Sequence, residues 1–214
     1  HVAHISTAGG VEMVRGAKAR GLHVTAEVTP HHLTMTEEWV LGTQGRVPAE
    51  AVLTAAAYET RAKVSPPLRT EIDRLALVDG LLDGTIDAVA TDHAPHARQE
   101  KEAGNEDIWK APTGVPEVEL SLPLMLTQVN QGRLTLPKLV SVMAEVPAME
   151  YGIFPQKGVL QVGSDADMVI VDIEREKTVS DADLVTTPKY SAFHGYSLKG
   201  IPVTTLLRGG VVME

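Results

Sequence analysis

At 214 residues, 43% of them hydrophobic, the chain is long enough to bury a sizeable core as one large domain or two unequal ones. A formal net charge of −9, a pI near 5.4 and the lack of any Lys/Arg run argue against nucleic acid or an anionic membrane as partner, and no stretch approaches a membrane span. Cysteine is absent, so disulfides and thiolate ligands are excluded, any metal must be held by His and carboxylate, and a cytoplasmic location fits.

In chain order, His1 to Ser6 alternates in the manner of a strand, and Thr7-Ala8-Gly9-Gly10 turns the chain into a helical run from Val11 to Lys18 that Gly21 ends. His23 to Thr29 is a second β-rich run, stopped by Pro30 with His31 and His32 at its exit. A short helix is expected around Glu37 to Leu41 and an Ala-rich helical run near Ala49 to Thr60. Lys63 to Arg69 must be extended around Pro66 and Pro67, and Thr70 then caps a helix to Leu82. Ile86 to Ala90 is a buried strand leading to Thr91-Asp92-His93-Ala94-Pro95-His96, on which Ala88, Ala90 and Asp92 share one face. The resulting β-α-β-α-β alternation predicts a parallel sheet in an α/β fold, with polar residues at the C-terminal ends of the strands.

Ala97 to Lys110 reads as a polar loop without periodicity, suited either to an active site or to a plain surface. Val118 to Val129 and Leu136 to Met143 carry helical spacing. From Gly158 the pattern becomes β-rich: strands at Val159 to Gly163 and Ala166 to Asp172, then a hairpin around Gly209-Gly210 within Pro202 to Val212. A boundary near residue 155 separates domains 1–155 and 156–214.

His4 and Asp92, at the ends of two different strands, are the right ligand types for a divalent cation in a site without thiolates, but two ligands are too few for a hydrolytic centre. His31, His32, His93 and His96 are further candidates, although each also reads as a solvated or capping residue. Asp92 equally suits a cap on the next turn.

Beyond these readings, the ordered segments His1-Val2-Ala3-His4-Ile5-Ser6-Thr7, Val24 to Leu33, Lys63 to Arg69 and Ala90 to His96 resemble the cyclic amidohydrolases. Within that group they look most like the class I dihydroorotases, and they also resemble hydantoinase/dihydropyrimidinase and allantoinase. Gly163 to Ile170 resembles a strand of the small β-sandwich these enzymes add beside a TIM (β/α)8 barrel. The resemblance implies that the chain is the C-terminal part of such a barrel, strands six to eight, followed by part of the sandwich. A full barrel takes about 250 residues.

By position, the resemblance makes His4 the metal histidine of strand six and Asp92 the strand-eight aspartate that binds metal and moves the proton. It makes His96 a contact for the substrate carboxylate. Ser65 stands at the substrate-ring position where dihydroorotases usually have asparagine and hydantoinases serine. Ala111-Pro112-Thr113-Gly114 resembles the ring-binding loop, with Thr113 in place of an aromatic residue and Gly114 beside it. The implied cofactor is zinc, one or two divalent ions in the complete enzyme. The implied reaction is metal-dependent hydrolysis of a cyclic amide, dihydroorotate first, in pyrimidine biosynthesis. The remaining metal ligands of the family precede His1, so this chain alone is expected to be nearly inactive and to associate with itself or with the missing N-terminal portion. The other readings are a hydantoinase, dihydropyrimidinase or allantoinase, and a non-catalytic assembly partner.

Overall fold

Thr7 ends the first extended run by accepting a hydrogen bond from the Gly10 N–H at 3.0 Å, which starts helix α1, Ala8–Ala19. The computed structural model describes residues 1–42 and 58–213. Val11 and Val14 form the buried stripe of α1. Helix α3, Glu71–Asp83, begins at Thr70, whose hydroxyl accepts from Asp73 N, and ends at Gly84 with φ +86. The two helices approach closely at Gly80, where a Cβ would stand 2.8 Å from Val11 Cγ1. Asp73 Oδ1 accepts from the Ala8 N–H at 2.9 Å, so the carboxylate also sits at the N-terminus of α1, where the helix dipole favours it.

Between these helices lie strand β1, Glu27–Val28, helix α2, Pro30–Thr34, and a single 3-10 turn at Glu37–Trp39 in place of the short helix expected there. Most of the expected Ala49 to Thr60 helix lies outside the described residues. Val2 bridges Ala26 in parallel fashion, and Ile5 N donates to Glu27 O at 2.9 Å. On the far side of β1, Ala90 N donates to Val28 O at 3.0 Å, just after strand β2, Ala88–Val89. The runs ending in His4 and Asp92 therefore flank the run that carries β1.

The expected loop 97–110 contains helix α4, Arg98–Glu102, and a 3-10 turn at Ile108–Lys110. Helix α5, Ser121–Asn130, buries Leu124, Met125 and Leu126. Helix α6, Leu136–Val140, continues through a π-helical turn, Ser141–Glu145, into α7, Val146–Glu150, with Pro147 in its first turn. The helical run passes the expected end at Met143, and Pro147 comes directly after the π-helical turn, where the hydrogen-bond register is already shifted.

The remaining strands, β3 (Met168–Thr178), β4 (Ser197–Leu207) and β5 (Gly210–Met213), form one sheet in that order. β4 and β5 are an antiparallel hairpin turning at Gly209, φ +81, with Leu207 opposite Gly210 and a bulge between Thr205 and Leu206. The strand expected at Val159 to Gly163 is absent, and Leu160 and Val162 are exposed.

Two compact units result: His1–Ile86 with Ala90–Glu119 and Thr178–Tyr196, and Asp87–Val89 with Leu120–Lys177 and Ser197–Glu214. In the first, Trp39, Phe193 and Tyr196 form an aromatic cluster with ring centroids 5.5–6.1 Å apart. In the second, Gly158 has φ +85, and a Cβ there would meet Ala148 Cβ at 2.6 Å and Ala144 O at 2.8 Å. Gly158→Ala is therefore expected to cost about 3 kcal/mol, the sum of left-handed strain and overpacking. A urea midpoint unchanged from wild type would refute it. Among the described residues, no helix is long and apolar enough to cross a membrane.

Candidate functional site

Every residue assigned to the site from sequence falls in the first unit. His4 and Asp92 share an uncommon backbone: φ is +38 at His4 and +47 at Asp92, and they are two of the four described non-glycine residues with positive φ. The left-handed region costs an L-residue about 1–2 kcal/mol, so surrounding hydrogen bonds must hold these two side chains in place. Ile5 N to Glu27 O does this after His4, and Ala90 N to Val28 O and Ala94 N to Val115 O bracket Asp92.

Behind them lies a buried histidine and carboxyl cluster. Thr29 caps α2 and Pro30 occupies its first turn, which seats His31 and His32 inside, at 0% and 2% exposure. His31 and His32 do follow strand β1 as expected, but the solvated reading of them is corrected here: Thr-Pro opens a helix, and the helix turns both rings into the core. His31 Nδ1 lies 2.6 Å from Glu117 Oε2. Burial pushes His31 down to about 3 and pushes Glu117 well up, with the Asp92 charge adding to the rise at Glu117. Both directions disfavour the charged forms, so burial opposes an ion pair at this contact. His32 is likewise pushed down to about 3 by burial. Its Nε2–H donates to Pro66 O at 3.0 Å, which leaves Nδ1 to accept from the Thr29 hydroxyl at 2.7 Å.

His4 and Asp92 both act on this cluster. The Asp92 charge is felt at His31 and Glu117, and His4 is felt at His31 and His32. Three buried polar atoms there, His4 Nδ1, His31 Nε2 and Glu117 Oε1, have no hydrogen-bond partner among the described residues. His93 Nδ1 accepts from the Glu117 and Val118 N–H groups at 3.0 and 3.2 Å, so when neutral it carries its proton on Nε2.

A second group surrounds Thr113 and Gly114. His96 Nε2–H donates to Thr113 O at 3.0 Å. Gly114 N donates to Lys63 O at 2.9 Å, and a Cβ on Gly114, at φ +132, would fall 2.4 Å from Ala94 Cβ. Thus His96, Thr113 and Gly114 are brought together beside the segment carrying Ser65, whose side chain is exposed. Glu117, Lys63 and Lys101 escaped the sequence reading. Nothing local marks Glu117, whose partner is 86 residues away.

Among the described residues, no three His, Asp or Glu side chains stand close enough to hold a metal ion. His4 and Asp92 nonetheless fit a share of one: a buried imidazole nitrogen without a partner and an exposed carboxylate, both held in strained backbone.

The model of the amidohydrolase family matches residues 1–212. The chain belongs to the amidohydrolase family. This amidohydrolase chain is 41% identical over 211 residues to a dihydroorotase of Deinococcus radiodurans, covering 99% of the chain and 46% of that protein. It is 40% identical over 214 residues to an L-hydantoinase of Paenarthrobacter aurescens, covering 100% of the chain and 43% of that protein. Among solved structures, an L-hydantoinase (dihydropyrimidinase) from Arthrobacter aurescens matches with a TM-score of 0.89 at 40% identity, covering 100% of this amidohydrolase chain and 44% of that one. The chain thus spans about half the length of the relatives it matches.

Proposed function

We propose that the protein containing this chain hydrolyses a cyclic amide, with dihydroorotate as substrate and carbamoyl aspartate as product. The observation that carries this reading is the convergence of His4 and Asp92, each in left-handed backbone, on one buried His31–Glu117 pair. In this reading the chain supplies barrel strands six to eight, within 1–155, and part of a β-sandwich, within 156–214. The missing portion or a second copy completes the site. The location is cytoplasmic.

His4 and Asp92 would hold zinc, which when bound polarises the ring carbonyl and acidifies water. Asp92 takes the proton from the attacking water as the C–O bond forms, then gives it to the ring nitrogen as the C–N bond breaks. His96 faces the substrate carboxylate, while Ser65, Thr113 and Gly114 line the ring. Since His96 Nε2 is committed to Thr113 O, Nδ1 is the atom left for the ligand; Glu100 Oε2 lies 3.9 Å from it.

Ser65 and Thr113 favour a second reading, a hydantoinase that takes uncharged rings, and the 40% identity to an L-hydantoinase supports it. His96→Ala in the enzyme that contains this chain separates the two. It is expected to lower kcat/KM for dihydroorotate about 30-fold, the worth of a charged hydrogen bond, and to change hydantoin or dihydrouracil turnover less than about threefold. Equal losses on charged and uncharged rings would overturn the carboxylate role, and turnover of uncharged rings alone would favour the second reading.

A further inference from the structure

The turn from Ala111 to Gly114 is held in an unusual way. Each of its four consecutive backbone carbonyls accepts from a side chain of another segment: Ala111 O from Lys63 Nζ at 2.6 Å, Pro112 O from Lys101 Nζ at 2.9 Å, Thr113 O from His96 Nε2 at 3.0 Å and Gly114 O from Lys101 Nζ at 2.9 Å. Lys101 spends its third proton on Lys63 O at 3.0 Å, which also accepts from Gly114 N, and Lys63 Nζ reaches back to Ile108 O at 2.8 Å. The Lys101 ammonium is therefore saturated by three carbonyls, with 0% of the residue exposed.

Volume alone does not call for a lysine there. A Met or Leu would fill the space without desolvating a charge, and no carboxylate hydrogen-bonds to Lys101 among the described residues. Burial accordingly pushes the ammonium down to about 8, and neighbouring Lys63 adds to the fall. What the lysine supplies and an apolar residue cannot is three donors aimed at three different carbonyls. It sits on α4, whose start is fixed by the Glu100 carboxylate accepting from Ala97 N at 2.8 Å. The neighbouring Gly104 closes the same loop, since a Cβ there would lie 2.5 Å from Ala111 Cβ.

We propose that Lys101, assisted by Lys63, is a positioning residue that locks the Ala111–Gly114 turn to the Lys63–Ser65 segment and so fixes the wall against which the ring of the substrate rests. The assignment of that wall to the substrate rests on the proposed function; the lock itself does not. It acts on binding, before any bond changes, and it leaves His4 and Asp92 untouched.

Lys101→Met keeps the stem and removes the donors. In the full 214-residue chain, hydrogen exchange read by mass spectrometry is expected to quicken about tenfold or more in peptides spanning residues 108–116 and to stay as in wild type across α5. In the enzyme that contains the chain, KM for the cyclic amide should rise about tenfold, with kcat within about twofold and bound metal unchanged. Unchanged exchange in 108–116, a uniform quickening that includes α5, or a fall in kcat at constant KM would each overturn the proposal. Should Lys101→Met fail to fold, Lys63→Met, which frees the Ala111 and Ile108 carbonyls and the Trp109 ring, is judged by the same outcomes. A wild-type enzyme inactive on every cyclic amide would overturn the proposed function while the exchange measurement still decided the lock.

Discussion

Replacing Asp92 by asparagine in the enzyme that contains this chain is expected to lower kcat for ring opening about 1000-fold with little change in fold. Asparagine has the same shape as aspartate and is among the residues that tolerate φ near +47, so the substitution removes the charge without adding backbone strain. Alanine would confound the two. The loss is large because a positioned proton acceptor contributes about 100- to 10,000-fold, and the same carboxylate would also lose its grip on the metal. A readout independent of turnover comes from the buried pair. The Asp92 charge helps to hold Glu117 protonated, so its removal should let the Glu117 carboxyl titrate at lower pH, observable by carboxyl NMR. Activity within tenfold of wild type would remove Asp92 from the chemistry, and an unmoved Glu117 would show that the two carboxyl groups are not coupled.

Helices α1 and α3 were legible because the information that starts and stops them is local: Thr7 and Thr70 as caps, glycine at Gly21 and Gly84 in left-handed backbone. The β4–β5 hairpin was legible for the same reason, from Gly209-Gly210. Helix α4 was not, since Arg98-Gln99-Glu100-Lys101-Glu102 has no apolar residue, and the residue it buries is a lysine that only distant carbonyls can satisfy. The run Val159 to Gly163 failed in the opposite sense, looking like a strand while finding no strand to pair with. β3 runs past Asp172 through Glu174, Arg175, Glu176 and Lys177, where solvent exposure on the sheet erases the alternation that marks a half-buried strand. At the site, the resemblance singled out His4, Asp92, His96, Ser65, Thr113 and Gly114. The groups packed around them, Glu117, which meets His31 across 86 residues, and Lys101, which meets Lys63 O across 38, are set by tertiary proximity and leave no trace in spacing.

The chain is expected to lose its stability steeply between pH 6.5 and about 4. His32 titrates near 6.5 when unfolded and is pushed down to about 3 in the folded chain, because burial disfavours the charged ring and the neighbouring His31 adds to the fall, against the hydrogen bond to Pro66 O. Between those values the unfolded state binds a proton that the folded state refuses, so stability is fully present above pH 6.5 and drains as pH falls toward 3. A shift of this size is worth at most about 5 kcal/mol, comparable to the whole stability of an ordinary domain. His31 acts in the same direction. Glu117 opposes it, because a carboxyl raised in the folded state binds its proton before the unfolded one does and so stabilises as pH falls toward 4.5. The pair thus partly cancels, and His32 remains without an offset of that kind. Urea unfolding at a series of pH values should show a slope steeper in wild type than in His32→Asn by about 1.4 kcal/mol per pH unit near pH 5, the value for one proton. His32→Asn should be the less stable of the two at pH 7.5, where the neutral imidazole still bridges Thr29 and Pro66, and the curves should converge toward acid. Parallel curves would mean that His32 takes up its proton in the folded chain as readily as in the unfolded one, and that the buried cluster beneath His4 and Asp92 is open to water.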